Sequence, residues 1–263
     1  MKNKVLTVAR TAIGLVCWFL VYKLYGIFVD PLLDGILPEI ARMILMSMVV
    51  PYTLGLGAFL LVTLGMPRAP PSKEGTLKPS AGTIAKYFAI QTGLSFPVLV
   101  MINSALTIAG VESHATSPEE LLAHPVFYVV LLLVFNPIFE ELLFRKFMLA
   151  RLSTLGTKGA IICSAVLFAL PHVYSQGVAQ MFYTFALGLV WAFITVRTGK
   201  LWPAIVLHSL SNAYCALLPL LTGMVHAALS MVFVVVSMSV FIPLTIVLIK
   251  KEARADKLIS QGV

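Results

Sequence analysis

Apolar stretches of about twenty residues alternate along this chain with short clusters of charge, and that alternation decides its solvent. A helix crossing the hydrocarbon core takes about 20 mostly apolar residues. Six stretches meet that length: 8–29, 40–64, 85–109, 125–149, 201–222 and 226–249. A further stretch, 159–197, is apolar throughout but interrupted by Pro171, His172 and the Ser175-Gln176-Gly177 cluster, which suits two helices joined by a tight break. The expected fold is an all-α, polytopic membrane helix bundle of eight transmembrane helices, in a multi-pass integral membrane protein. Composition agrees, because 59% of the 263 residues are hydrophobic and 11% charged, against roughly 25% charged in a soluble domain. The formal charge of +8 therefore reports orientation and contact with anionic headgroups rather than nucleic acid. Membrane lipid is the expected partner, and a nucleic-acid binder is excluded.

Cytoplasmic connections hold an excess of Lys and Arg. Lys2, Lys4 and Arg10, then Arg68, Lys73, Lys78 and Lys86, then Lys146, Arg151 and Lys158, then Arg197 and Lys200, and finally Lys250, Lys251, Arg254 and Lys257 all fall on one side of the alternation. The opposite connections, 30–39 and 110–124, carry Asp30, Asp34, Glu39, Glu112, Glu119 and Glu120 without Lys or Arg. Both termini are accordingly predicted cytoplasmic, with Lys23 and Arg42 snorkelling to the outer headgroups. The loop 65–86, rich in Pro and Gly, reads as a connector. Cys17, Cys163 and Cys215 show no metal or disulfide spacing and read as small buried hydrophobes. The N-terminal apolar run is too long for a signal peptide, and Gln261-Gly262-Val263 is no prenylation box. Short tails without targeting extensions point to a bacterial cell membrane.

An ionisable residue inside a span is a functional hypothesis by default. Three places carry such residues. The first is Asn136-Pro137-Ile138-Phe139-Glu140-Glu141-Leu142-Leu143-Phe144-Arg145, where two Glu and one Arg unpaired at mid-membrane would together cost about 8–10 kcal/mol on insertion scales. Glu141 and Arg145 stand four apart with the acid first, the favourable order for a pair on one helix face. Glu140 sits about 100° round the helix and is the free carboxylate. Pro137 removes a backbone hydrogen bond and would bend the helix or open it to water. The bland alternative is that these charges mark the membrane interface. The second place is Phe168-Ala169-Leu170-Pro171-His172, and the third is His208-Ser209-Leu210-Ser211-Asn212, where His208 and Asn212 share one helical face. A carboxylate and two imidazoles form a minimal set for activating water. His114, His124 and His226 fall in or beside outer connections and read as solvated.

These residues resemble the CAAX protease and bacteriocin-processing (CPBP, or Abi) family of intramembrane endopeptidases. The family's E-E-x-x-x-R, F-x-x-x-H and H-x-x-x-N motifs occur in order at Glu140 to Arg145, Phe168 to His172 and His208 to Asn212. The resemblance covers residues 120–222, which divides the chain into N-terminal helices with a basic loop (1–119), a catalytic core (120–222) and a last helix with a basic tail (223–263). It implies a site in the membrane nearer the cytoplasmic face. Glu140 and His172 would activate water, His208 and Asn212 would stabilise the oxyanion, and Glu141, Arg145 and Phe168 would support them. The implied substrate is a peptide or membrane protein, lipidated in some family members.

Zinc or another divalent metal is an open alternative to metal-free water activation, with Glu140, His172 and His208 as candidate ligands. The absence of a His-Glu-x-x-His motif and the poor ligand character of Asn212 favour the metal-free reading. A proton- or ion-coupled transporter and a non-catalytic bacteriocin-immunity protein use the same residue types. Depth raises one difficulty. A helix begun at Gly159 would carry His172 about 20 Å along, deeper than Glu140 at the inner end of its span. A late start near Cys163, with residues 150–162 outside the hydrocarbon, would remove it.

Overall fold

The structure, a computed structural model, describes residues 2–69, 77–111 and 118–260. Lys73, Glu112, His114 and the C-terminal Gln261-Gly262-Val263 lie outside the described residues. Eight helices among the described residues are long and apolar enough to cross a membrane: α1 (Asn3–Leu33), α2 (Glu39–Val62), α3 (Ala81–Ile108), α4 (Pro125–Leu155), α5 (Thr157–Gln176), α6 (Val178–Thr198), α7 (Trp202–Val225) and α8 (Ala227–Arg254). No strand is found among the described residues. The all-α bundle expected from hydropathy is therefore the fold. Its outer surface carries exposed Leu32, Val126, Val232, Val235 and Val247, as a surface solvated by lipid should. α6 is the buried centre, packed against α3 and α5. Gly188 permits that packing: a Cβ there would lie 3.1 Å from the Cα of Ala165 on α5.

Three boundaries differ from expectation, each for a visible reason. α4 does not end at 149 but runs to Leu155. Arg151, which suggested an interface, is completely buried, as is Arg145. The Arg151 guanidinium lies 5.3 Å over the Phe59 ring of α2 and donates to the carbonyl of Phe147 at 2.7 Å. α5 starts at Thr157 rather than near Cys163, and it continues through Pro171. The α5–α6 break falls at Gly177, within the expected Ser175-Gln176-Gly177 cluster, where a φ of 89° suits glycine. α3 begins at Ala81, inside the expected loop, because the Ser80 hydroxyl caps it by accepting the Thr83 N–H at 3.2 Å.

The first two corrections together remove the depth difficulty. Glu140 precedes Leu155 by fifteen residues, and His172 follows Thr157 by fifteen. In an antiparallel hairpin closed at 155–157, each therefore stands about 22 Å from the turn. The two residues share a level because α4 is longer than its charge pattern suggests.

Charges at the two ends of the bundle also find partners. Arg42 pairs with Asp30 at 2.7 Å and with Asp34, while His124 faces Glu39 at 3.5 Å. His226 accepts the Ala228 N–H at 3.1 Å. At the opposite end, Lys86 is a helix residue that ties α3 to Glu252 of α8. Arg10 donates to the carbonyls of Val62 and Leu64, holding α1 against the end of α2.

The α3–α8 packing depends on Gly93, where an added Cβ would collide with the Phe241 carbonyl and the Thr245 hydroxyl. Gly93→Val should destabilise the bundle by about 1–3 kcal/mol, seen as a lowered thermal midpoint in detergent. The same replacement at Gly57, which has open space around it, should leave the midpoint nearly unchanged.

Candidate active site

Pro137 shapes α4 where the acids lie. Two wider, π-type turns, Leu131–Phe135 and Leu142–Met148, flank the α-helical Asn136–Glu141. π-turns concentrate at functional sites, because the extra residue per turn frees main-chain groups. Here the Asn136 N–H reaches back to the carbonyl of Leu131. Pro137 has no N–H to offer the carbonyls of Leu132 or Leu133. α7 supplies the missing donors: Asn212 Nδ2 donates to Leu132 O at 2.8 Å, and Ser209 Oγ to Leu133 O at 2.8 Å. These two bonds lock α7 across α4. Ser211 turns elsewhere, exchanging a 2.8 Å hydrogen bond with the Tyr183 hydroxyl.

That lock brings the histidine of α7 onto the acids of α4. His208 Nδ1 donates to Glu141 Oε1 at 3.2 Å, and its Nε2 lies 3.9 Å from Glu140 Oε2. Arg145 Nε stands 3.1 Å from Glu141 Oε2, though at an angle that makes an ion pair rather than a hydrogen bond. Arg145 Nη1 donates to Ser164 Oγ at 3.4 Å, and the guanidinium lies 4.7 Å over the Phe168 ring. Glu141 and Arg145 are fully buried, whereas the Glu140 side chain keeps 16% of its surface exposed. The i,i+4 pair and the free carboxylate thus stand as their spacing predicts.

A cavity of about 190 Å³ receives that free carboxylate. Glu140, Asn136 and Phe144 of α4 line it with Pro171, His172, Ser175 and Gln176 of α5. The His172 Nδ1–H donates to the Phe168 carbonyl at 2.9 Å, so that in the neutral ring Nε2 is the unprotonated nitrogen. The remaining wall is Trp18, Phe19 and Tyr22 of α1 with Ser47, Pro51 and Tyr52 of α2. These helices lie outside the motif-bearing stretch. His208 and Asn212 are not on the wall; His208 reaches it through Glu140.

Two residues of this arrangement escape the motifs. Trp191 of α6 stacks on His208, with ring centroids 4.1 Å apart and planes 20° apart. Gln91 of α3, completely buried, accepts the Trp191 Nε1–H at 2.7 Å and donates to the carbonyl of Leu207 at 2.9 Å. An amide in the middle of an apolar span is the same signal that singles out His208, and it could have identified Gln91.

Among the described residues, no three His, Cys, Asp or Glu side chains form a group that could hold a metal ion.

Breaking a buried ion pair from one side leaves an uncompensated charge and costs about 3–5 kcal/mol, while replacing both partners by apolar groups costs far less. Arg145→Met should lower stability by that amount, and the double variant Glu141→Leu/Arg145→Met should recover most of it. Thermal unfolding in detergent of the wild type, Glu141→Leu, Arg145→Met and the double variant measures the cycle.

Residues 122–214, about a third of the chain, match the protein-family model described as Type II CAAX prenyl endopeptidase Rce1-like. Comparisons with curated proteins and with solved structures gave no match. The matched stretch runs from the residues before α4 into the middle of α7, and it contains Glu140, Glu141, Arg145, Phe168, His172, His208 and Asn212. Over that stretch the chain is similar to the CAAX prenyl endopeptidase family.

Proposed function

We propose that this protein is an intramembrane endopeptidase that hydrolyses a peptide bond of a membrane-associated substrate in the cavity between α1, α2, α4 and α5. One observation carries the proposal: Glu140, the incompletely buried carboxylate, and His172, with Nε2 free, line the same cavity. A liquid-like water occupies about 30 Å³, so the space admits a nucleophilic water between them. Glu140 takes a proton from that water as its oxygen adds to the scissile carbonyl carbon, and His172 orients it through Nε2. The C–N bond then breaks as Glu140 returns the proton to the leaving amine.

His208 and Asn212 act on the cavity from behind its wall, His208 by facing Glu140 at 3.9 Å and Asn212 by holding α7 against α4. Asn212 spends one amide N–H on Leu132 and has a second to offer. Glu141, Arg145, Trp191 and Gln91 hold the imidazole in place. The family match supports a prenylated peptide as the substrate class. The Lys and Arg distribution supports cytoplasmic termini.

Glu140→Gln keeps the shape of the side chain and removes the base. It should lower kcat about 10²–10⁴-fold on a prenylated peptide in proteoliposomes, with the detergent-solubilised protein retaining its helical circular dichroism. Full cleavage by a folded Glu140→Gln protein, or proton or ion flux without cleavage, would contradict the proposal. Cleavage by the wild-type protein should also survive exhaustive chelation. Loss of activity restored by added zinc would replace the metal-free reading.

A further inference from the structure

Tyr52 stands on the cavity wall opposite the motif residues, on a helix the family match does not reach. Its ring is held on three sides. The Phe139 and Phe135 centroids lie 5.2 and 5.5 Å away, and that of Trp18 lies at 6.2 Å. The backbone beneath it is pinned as well, because the Trp18 Nε1–H donates to the carbonyl of Pro51 at 2.8 Å. Gly55 allows this approach of α1 to α2, since a Cβ there would lie 2.9 Å from the Trp18 ring.

So rigid a tyrosine inside a protein ordinarily gives its hydroxyl a partner. The Tyr52 hydroxyl has no hydrogen bond among the described residues, and it is not sealed off within the packing. Tyr52 shares the cavity lining with Glu140. A fixed O–H donor without a protein acceptor, at the edge of a cavity that holds a base, is the arrangement that favours charge appearing on a substrate oxygen. His208 and Asn212 leave room for this role, because neither lines the cavity and Asn212 has already committed one N–H to α4.

We propose that Tyr52 is a catalytic residue whose hydroxyl donates to the substrate carbonyl oxygen as that oxygen becomes an oxyanion, so that the N-terminal helices complete the site. The inference rests on the endopeptidase reading above. It makes α1 and α2 part of the catalytic unit, with Trp18, Phe135 and Phe139 acting as positioning residues for the phenol.

Tyr52→Phe removes the hydroxyl and keeps the ring, whereas Tyr52→Leu removes both. Steady-state cleavage of a prenylated peptide in proteoliposomes should show kcat reduced about 10²-fold in Tyr52→Phe with KM within twofold of wild type. A peptide aldehyde, which forms a tetrahedral adduct, should bind that variant more weakly by a similar factor. Wild-type kcat in Tyr52→Phe, with loss of activity only in Tyr52→Leu, would show that the ring merely packs and would overturn the proposal. A rise in KM at unchanged kcat would overturn it too, by assigning the hydroxyl to ground-state binding. Glu140→Gln is assayed beside these variants. If it cleaves normally, the endopeptidase site itself is misassigned; if it is inactive while Tyr52→Phe is normal, the Tyr52 role alone fails.

Discussion

Glu141 and Arg145 meet at 3.1 Å with neither side chain exposed, and most of the surrounding architecture can be derived from the need to hold that pair inside a lipid-solvated bundle. Neither charge can reach the headgroups from mid-helix, so each takes its compensation from neighbouring helices. Arg145 gains the Ser164 hydroxyl and the Phe168 ring from α5. Glu141 gains His208 from α7, and that imidazole is stacked on Trp191 of α6, which Gln91 of α3 holds by hydrogen bond. Five helices thus converge on one ion pair. Buried pairs are poor sources of stability, so their retention is better explained by the geometry they impose: Glu140, the next residue, is directed into the cavity with its charge unneutralised by Arg145.

A second constraint acts through the backbone. Pro137 deprives the carbonyls of Leu132 and Leu133 of a donor, and Ser209 and Asn212 replace it. In apolar surroundings each such carbonyl would otherwise cost several kcal/mol. One proline therefore sets both the local widening of α4 and the docking of α7. The H-x-x-x-N spacing acquires a physical meaning from this, since its Asn holds the helix that presents its His.

How much of this could be read from sequence depends on the kind of information each feature carries. The eight spans and the Glu141–Arg145 pair were legible, because hydropathy over twenty residues and a four-residue spacing are local properties. The end of α4 was not. Arg151 read as an interface charge, since sequence alone does not show Phe59 waiting on another helix to receive it. That misplacement made Glu140 and His172 seem to lie at different depths, when equal fifteen-residue distances from the α4–α5 turn bring them level. α5 passes through Pro171, and of the interruptions read from the sequence it was the Ser175-Gln176-Gly177 cluster that marked the break. Tyr52 lay beyond reach for a different reason: an aromatic in an apolar span is unremarkable until its neighbours are known. Gln91 could have been found by applying to α3 the polar-in-span test applied to α7.

The central claim is that the charge buried in this bundle serves proteolysis rather than ion movement or packing. The most direct test is peptidomics of membranes from cells carrying either the intact protein or Glu140→Ala at matched abundance. The account predicts a defined set of cleavage products that depends on Glu140, with the uncleaved precursors accumulating in the variant. Identical peptide profiles in the two membranes, with the protein folded and present in both, would contradict it.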